Sequence, residues 1–352
     1  MKVKNTATVF AILAAVFYAI NIPLSKLLLG HIGTTMMAAL LYLGAGLGLM
    51  ICSFVKKLSG KIQKAERLTK KELPYTIAMV ALDVIAPILL MLGIARTNSA
   101  NVSLLNNFEI VATSVIALVI FKEAVSRRLW LAIFLVTIAS ATLSFEGNGA
   151  FVFNQGSLFV LGACICWGFE NNCTKMISNK SSVEIVIIKG CFSGMGSLII
   201  ALMLGESIPE IQWLSAALIL GFFAYGLSIN FYILAQKDLG AVKTSAYYSI
   251  APFLGVAFSM LLLGERPSIQ FYGAMLLMIV STIIMVKDSI ALQHTHEHEH
   301  THTHEHSHGA LVHTHEHVHR HTHLHIHEED SELHEHIHDD LPDHRHVHGE
   351  IC

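Results

Sequence analysis

The chain of 352 residues is strongly apolar, with 53% hydrophobic and only 14% charged residues, and this composition excludes an ordinary soluble domain. Its formal net charge of −3 averages two unlike segments. Residues 1–290 carry 21 lysines and arginines, 13 aspartates and glutamates and a single histidine. Residues 291–352 carry 2 basic residues, 13 acidic residues and 22 histidines, so we expect an apolar, basic body followed by an acidic, histidine-rich tail.

Ten apolar runs in the body are long enough to cross a bilayer, which takes about 20 residues in a helix. They lack the alternation of a membrane-spanning sheet, so the sequence predicts an all-α integral membrane protein. In chain order the ten predicted spans are residues 6–28, 33–55, 74–94, 99–121, 129–145, 156–176, 183–204, 213–235, 242–263 and 269–286.

Basic residues concentrate in the loops that follow the even-numbered spans. The loop after the second span, "KKLSGKIQKAERLTKK", holds seven lysines and arginines. The loops after the odd-numbered spans are acidic or neutral apart from Arg96 and Arg266. Because basic loops stay on the cytoplasmic side, we expect a multi-pass protein of the cell (inner) membrane with both termini in the cytoplasm.

The body contains an internal repeat. The stretch "VIALVIFKEAVSRRLWLAIFLVTIASATLSF" aligns with "VAFSMLLLGERPSIQFYGAMLLMIVSTIIMV", and "YAINIPLSK" aligns with "WGFENNCTK". Each unit holds five spans, an odd number, so the second unit must be inverted relative to the first. We therefore expect one five-helix repeat at residues 1–147, an inverted copy at residues 148–290, and a disordered cytoplasmic tail at residues 291–352.

These features resemble the drug/metabolite transporter superfamily in its EamA branch. "YAIN" and "WGFENN" are similar to the aromatic-small-x-Asn stretch in the first helix of each unit. "LLLGERPS" and, more loosely, "LVIFKEAVS" are similar to the Gly-Glu-Arg turn between the last two helices. The resemblance covers about residues 6–287. It implies a secondary transporter whose substrate site lies near the midplane between the units. One departure is Pro252 in the second unit, since the corresponding stretch of the first has Glu109 and no proline.

Polar side chains inside the spans are the candidate site residues, because a charge at membrane depth costs at least about 2.5 kcal/mol. Asn106 and Glu109 share one face of the fourth span. The fourth span is equivalent to the ninth in the repeat, and the ninth span carries Tyr248. We expect a polar, partly aromatic pocket at the midplane. The candidate substrate-binding residues are Asn21, Asp83, Asn106, Glu109, Glu170, Asn171, Lys189, Tyr225, Tyr247 and Tyr248.

A structural interpretation of the same charges remains open. Lys189 can form an internal ion pair with Glu109, Glu170 or Asp83 that holds helices together. Near the ends of the spans, Lys26 is expected to extend toward the lipid headgroups. Glu123 and Glu265 are interpreted as polar turn residues that end a helix.

The tail is rich in His-x-His pairs with acidic neighbours, and it has little to bury, so it is expected to be disordered. Imidazole and carboxylate groups bind Zn²⁺, Ni²⁺ and Co²⁺. A pH switch and a passive tail remain alternatives. The candidate metal ligands are His294, His296, His298, His300, His302, His304, His306, His308, His313, His315, His317, His319, His321, His323, His325 and His327.

No enzyme signature such as a phosphate loop or a nucleophile elbow occurs, so we expect no catalysis and no required cofactor, with zinc, nickel or cobalt possible on the tail. The favoured function is a secondary active transporter, an exporter, of a small organic metabolite. The alternative is a divalent metal transporter whose tail gathers the ion, and a membrane-anchored metal buffer is a third hypothesis. Expected partners are a small-molecule substrate, the lipid bilayer and divalent metal ions. No nucleic-acid partner is expected, and a homodimer remains an open alternative.

Overall fold

The body is helical in the computed structural model, which describes residues 2–58, 68–122, 126–144, 154–177, 180–239, 244, 247–308 and 311–326. A 3-10 turn at Lys70–Glu72 precedes the third span, and π-helical turns occur at Lys189–Ser193 and Phe222–Leu227. Within the described residues the α-helices are Lys2–Ala19, Asn21–Leu28, Thr34–Leu58, Leu73–Arg96, Ser99–Leu105, Phe108–Phe121, Arg127–Ser144, Gln155–Met176, Ser182–Ile188, Gly194–Met203, Ile211–Gly221, Ser228–Leu239, Ala251–Leu263 and Ile269–Leu292.

The helices fall on the predicted spans. Eight helical stretches of the described residues are long and apolar enough to cross a membrane, so the chain is a multi-pass helical membrane protein. The helix Gln155–Met176 has the length, but Glu170, Asn171 and Asn172 lower its hydropathy. Ala251–Leu263 is a shorter apolar helix.

Five spans are interrupted part-way along their described residues. The first divides at Ile20, the fourth at Asn106 and Asn107, and the ninth at Ser249 and Ile250. The seventh and eighth contain the two π-helical turns. A π turn departs from the regular hydrogen-bond ladder and is common at functional sites, and the two π turns here contain Lys189 and Tyr225.

Glycines let the second span lie against the seventh and eighth spans. A Cβ on Gly46 would lie 2.6 Å from the backbone nitrogen of Cys191, and one on Gly190 would collide with the backbone of Gly46. Gly221 lies in the same way against the carbonyl of Leu41. Backbones approach this closely in membranes through small residues, so packing between these spans depends on the glycines.

The first part of the tail differs from the expected disorder. Gln293–His308 (β1) and Leu311–Ile326 (β2) pair as antiparallel strands, in a register that sets His294 opposite His325 and His306 opposite His313. The prediction of disorder does not hold for these two segments. The regular alternation that suggested ligand pairs is also the period of a strand, and pairing satisfies the backbone hydrogen-bonding groups.

Candidate functional site

A cavity of about 440 Å³ lies inside the body and is lined by spans of both sequence halves. The first, second and fourth spans contribute from the first half, and the sixth to ninth from the second. Its lining is aromatic, amide and charged rather than purely aliphatic, as expected of a site for small molecules. The lining residues are Tyr18, Tyr42, Ala45, Asn106, Asn107, Glu109, Ile110, Trp167, Glu170, Asn171, Val186, Lys189, Gly190, Tyr225, Ile229, Tyr232, Tyr248, Ser249, Ala251 and Pro252.

Lys189 forms a three-membered ion cluster at one wall of the cavity. Its ammonium nitrogen is 2.9 Å from Oε1 of Glu170 and 3.2 Å from Oδ2 of Asp83. Both carboxylates are almost fully buried, and the lysine side chain is 18% exposed. A buried carboxylate needs a compensating charge, and Lys189 supplies it to two at once. The ion-pair interpretation is therefore correct for Asp83 and Glu170.

Two sets of hydrogen bonds join buried polar groups of different spans, and the first of them involves this cluster. The Tyr42 hydroxyl donates to Oδ1 of Asp83 over 3.0 Å. Separately, the amide of Asn21 donates to the Tyr225 hydroxyl over 3.0 Å and accepts from Ser25 over 3.2 Å. These buried polar groups satisfy one another, and they join the first and second spans to the third and eighth.

Glu109 has different surroundings. Its Oε1 accepts a hydrogen bond of 2.8 Å from the side-chain amide of Asn171, which also donates to Thr113 over 3.2 Å. The ion pairs of the described residues include none with Glu109. It stands in the first turn of Phe108–Phe121, where the partial positive charge of the helix N-terminus favours a carboxylate. The carboxylate is thus held by an amide and a helix end instead of a cation.

Five tyrosines form a continuous row beside these charges. Ring centroids are 5.3 Å apart for Tyr42 and Tyr225, 6.2 Å for Tyr225 and Tyr18, 5.8 Å for Tyr18 and Tyr248, and 5.1 Å for Tyr248 and Tyr232. All five line the cavity. Aromatic pairs at these separations stabilise one another, so the row forms an ordered wall of phenol rings.

The local breaks in the helices place these groups. Lys189 begins one π-helical turn, and Tyr225 lies inside the other. Asn106 and Asn107 occupy the break in the fourth span, immediately before Glu109. Irregular backbone at membrane depth is tolerated where it faces protein or a cavity, and here it borders the cavity.

The structure brings most of the predicted site residues together. Asn21 and Asp83 lie behind the lining and bind Tyr225 and Lys189, respectively. Tyr247 is 39% exposed and does not line the cavity, so the structure separates it from the other candidates. The candidates that line the cavity are Asn106, Glu109, Glu170, Asn171, Lys189, Tyr225 and Tyr248.

Four aromatic lining residues were not among the sequence candidates: Tyr18, Tyr42, Trp167 and Tyr232. Tyr18 and Trp167 open the two aligned stretches "YAIN" and "WGFENN", so the repeat itself was a usable signal. An aromatic residue in an apolar run looks like ordinary packing, and nothing in the sequence distinguishes Tyr42.

For metal binding, the described residues contain no group of three or more His, Cys, Asp or Glu side chains that could hold an ion. Cys164, Cys166 and Cys173 are free cysteines. The predicted ligands of the tail lie on β1, on β2 and at His327, and their side chains lie outside the described residues.

Two glutamates join loops on one face of the body. Glu206 accepts hydrogen bonds from the backbone amides of Thr35, at 3.2 Å, and Met36, at 2.6 Å. Glu265 accepts from the first two amides of the helix Ser99–Leu105, both at 2.8 Å. Each carboxylate therefore satisfies orphan donors at the start of a helix far away in sequence, and both the charge and the helix dipole favour the contact.

Lys26 reinforces the same face. Its ammonium group donates to the carbonyl oxygens of Ile94 and Thr97, the latter over 2.8 Å. The expected extension toward lipid headgroups is therefore wrong, because the carbonyls at the end of the third span lie within reach. Glu265 similarly does more than end a turn. Gly264 adopts the left-handed conformation (φ 65°) that ends its helix, and Glu265 follows it directly.

Comparison with known proteins gives three findings. The EamA-like transporter family matches residues 5–145 and, a second time, residues 154–287. An uncharacterized transporter of Methanothermobacter thermautotrophicus is 25% identical over 275 residues, which is 74% of this chain and 80% of that protein. A solved crystal structure is similar with a TM-score of 0.60 at 13% identity, covering 81% of this chain and 97% of that one, and this likeness concerns the fold alone.

Proposed function

Because the chain belongs to the EamA-like transporter family, we propose that it is a secondary active exporter of a small organic metabolite and works by alternating access. The observation that carries the proposal is the cavity lined by polar and aromatic side chains of both sequence halves. A carrier needs a site that two halves can expose in turn, and a cavity between them meets that requirement.

The packing of the spans supports an arrangement of two inverted five-helix units. Each span of the first unit is equivalent to the span five further along in the second unit, and the main contacts between spans follow this equivalence. The third span packs along the sixth and the eighth along the first, which are equivalent pairs. The second packs on the seventh, the fourth on the ninth and the fifth on the tenth, and each of these pairs maps onto itself. Ten membrane crossings follow from this arrangement.

The orientation in the membrane follows from the basic loops. With both termini in the cytoplasm of the cell (inner) membrane, the loops after odd-numbered spans face outward. Glu206, Glu265 and Lys26 make their contacts in these loops. We therefore assign these contacts to the closed outer side of the carrier, and they must separate when the cavity opens outward.

The histidine tail is proposed to bind divalent metal on the cytoplasmic side. Histidine recurs at every second position from His294 to His308 and from His313 to His325, and each of these lies opposite another histidine except His308, which lies opposite Leu311. Imidazole is a good ligand for zinc, nickel and cobalt. The tail would then regulate transport or buffer metal, while the body carries an organic solute.

The proposal is tested by reconstituting the full-length chain and a chain stopped after Leu292 in lipid vesicles. Radiolabelled amines, amino acids and carboxylic acids are measured by counterflow, with radioactive zinc in parallel. We expect counterflow of at least one organic solute in both chains and its strong reduction by Glu109→Gln. The matched control is Glu210→Gln, which changes an exposed carboxylate outside the cavity.

Two outcomes would contradict the proposal. Zinc flux that persists without the tail and depends on Glu109 would establish the alternative, a divalent metal carrier. No flux of any solute in either chain would leave a membrane-anchored metal buffer as the function.

A further inference from the structure

We propose that the cavity selects organic cations, such as primary or quaternary ammonium ions, over zwitterions and anions of the same size. This inference rests on the proposed function and names the substrate class of the same cavity. Three features of the cavity carry it: a lysine that is already neutralised, a carboxylate without a cationic partner, and a row of phenol rings.

The first feature excludes a ready partner for a substrate carboxylate. Lys189 is the one cationic side chain among the described residues that line the cavity. Its ammonium already contacts Glu170 at 2.9 Å and Asp83 at 3.2 Å. An anionic substrate group would compete with these two buried carboxylates for the same ammonium and would add negative charge to a cluster that already holds two carboxylates for one cation, which is unfavourable.

The second feature is a negative charge that the protein does not neutralise. Asp83, Glu170 and Lys189 together carry one formal negative charge when all three are ionised. Glu109, when it is ionised, adds a second, because Asn171, which donates a hydrogen bond to it, is neutral. Like charges and low-dielectric walls concentrate counter-ions in such a space, so a cation enters favourably.

The third feature is a surface that fits an organic cation better than a metal ion. The rings of Tyr18, Tyr248 and Tyr232 lie next to one another and line the cavity together with Glu109. The faces of aromatic rings attract ammonium groups, and they also cover the apolar part of an organic solute. Metal ions instead require several converging donor atoms.

The size of the cavity agrees with this class. A volume of about 440 Å³ suits a small organic molecule. Asn106 and Asn107 add amide groups to the lining, which can bind a hydroxyl or amide of the solute.

The test uses three probes with the same phenyl-and-two-carbon skeleton: phenylethylamine as the cation, phenylalanine as the zwitterion and phenylpropanoate as the anion. Binding to the full-length protein in lipid nanodiscs is measured at neutral pH by equilibrium dialysis. We expect phenylethylamine to bind at least about tenfold more tightly than either of the others. Glu109→Gln should weaken phenylethylamine by between about tenfold and a hundredfold, and Glu210→Gln should leave it unchanged.

Each other outcome overturns the inference. Tighter binding of phenylalanine or phenylpropanoate would show that a cation of the protein is available to the solute. No saturable binding of phenylethylamine at millimolar concentration, or equal binding by Glu109→Gln, would remove the role of Glu109. Counterflow of an acid or a zwitterion would leave the proposed carrier intact, so the two failures are distinguishable.

Discussion

Two groups of carboxylates at the cavity have different partners. Asp83 and Glu170 share the ammonium of Lys189, and Tyr42 donates to Asp83 as well. Glu109 instead has an amide donor and the start of a helix. Removing a shared cation leaves its carboxylates buried without one, whereas a carboxylate that has no cation from the protein is available to a ligand. The Lys189 cluster is therefore expected to control stability, and Glu109 to control binding.

The largest expected effect is on stability, from Lys189→Met. Removing the ammonium leaves Asp83 and Glu170 buried without a cation, and we expect a loss of about 3–5 kcal/mol in the free energy of unfolding. Thermal unfolding in detergent measures this change. The double variant Lys189→Met with Asp83→Asn should recover part of the loss. A single variant as stable as the natural chain would contradict the assignment of the Lys189 cluster to stability.

A smaller loss of stability is expected from Tyr42→Phe. It removes the hydroxyl that donates to Asp83 over 3.0 Å, and a hydrogen bond to a charged group contributes about 1.5–3 kcal/mol. Chemical or thermal unfolding is the measurement. Tyr247→Phe is the matched control, because Tyr247 is 39% exposed and lies outside the cavity lining. Equal losses of stability in the two variants would contradict the contribution of the hydrogen bond from Tyr42 to Asp83.

Glu109→Gln sharpens the comparison from the other side. The side-chain carbonyl oxygen of the glutamine can still accept a hydrogen bond from Asn171, so the free energy of unfolding should change by less than about 1 kcal/mol. Binding of phenylethylamine should nevertheless fall by at least about tenfold. Unfolding and equilibrium dialysis are measured on the same preparation. Loss of stability comparable with that of Lys189→Met would make Glu109 a structural residue.

The smallest effect on the body is expected from stopping the chain after Leu292. The cavity is lined by residues up to Pro252, so phenylethylamine binding should remain within about twofold. Zinc binding, followed by calorimetry, should disappear, because imidazole supplies the ligands. Zinc binding retained by the shortened chain would place a metal site in the body.

The architecture was largely predictable from the sequence, and the partners of individual charges were not. Spans follow from apolar runs, and the repeat from aligned stretches such as "YAIN" and "WGFENN". Glu265 binds the amides of Ser99 and Ala100, which stand 166 and 165 positions away, and no local pattern indicates such a pairing. Lys189 likewise pairs with Asp83 and Glu170 and not with Glu109, because of the way in which spans distant in sequence pack.

The helix interruptions and the tail show a second limit of sequence patterns. The π-helical turns at Lys189 and around Tyr225 shift the faces of their spans, and apolar runs carry no mark of them. In the tail, alternation of histidine is compatible with both a free ligand chain and a paired strand. Composition favoured disorder, whereas Gln293–His308 and Leu311–Ile326 pair as strands.

The most direct test of the central claim is to locate an organic cation bound to the full-length protein. A structure with para-iodophenylethylamine, whose iodine is readily identified, would show where the solute lies. We predict that its ammonium group contacts the carboxylate of Glu109 and that its ring lies against Tyr18 and Tyr248. A solute bound only on the lipid-facing surface, or seated against Lys189 and away from Glu109, would contradict the account.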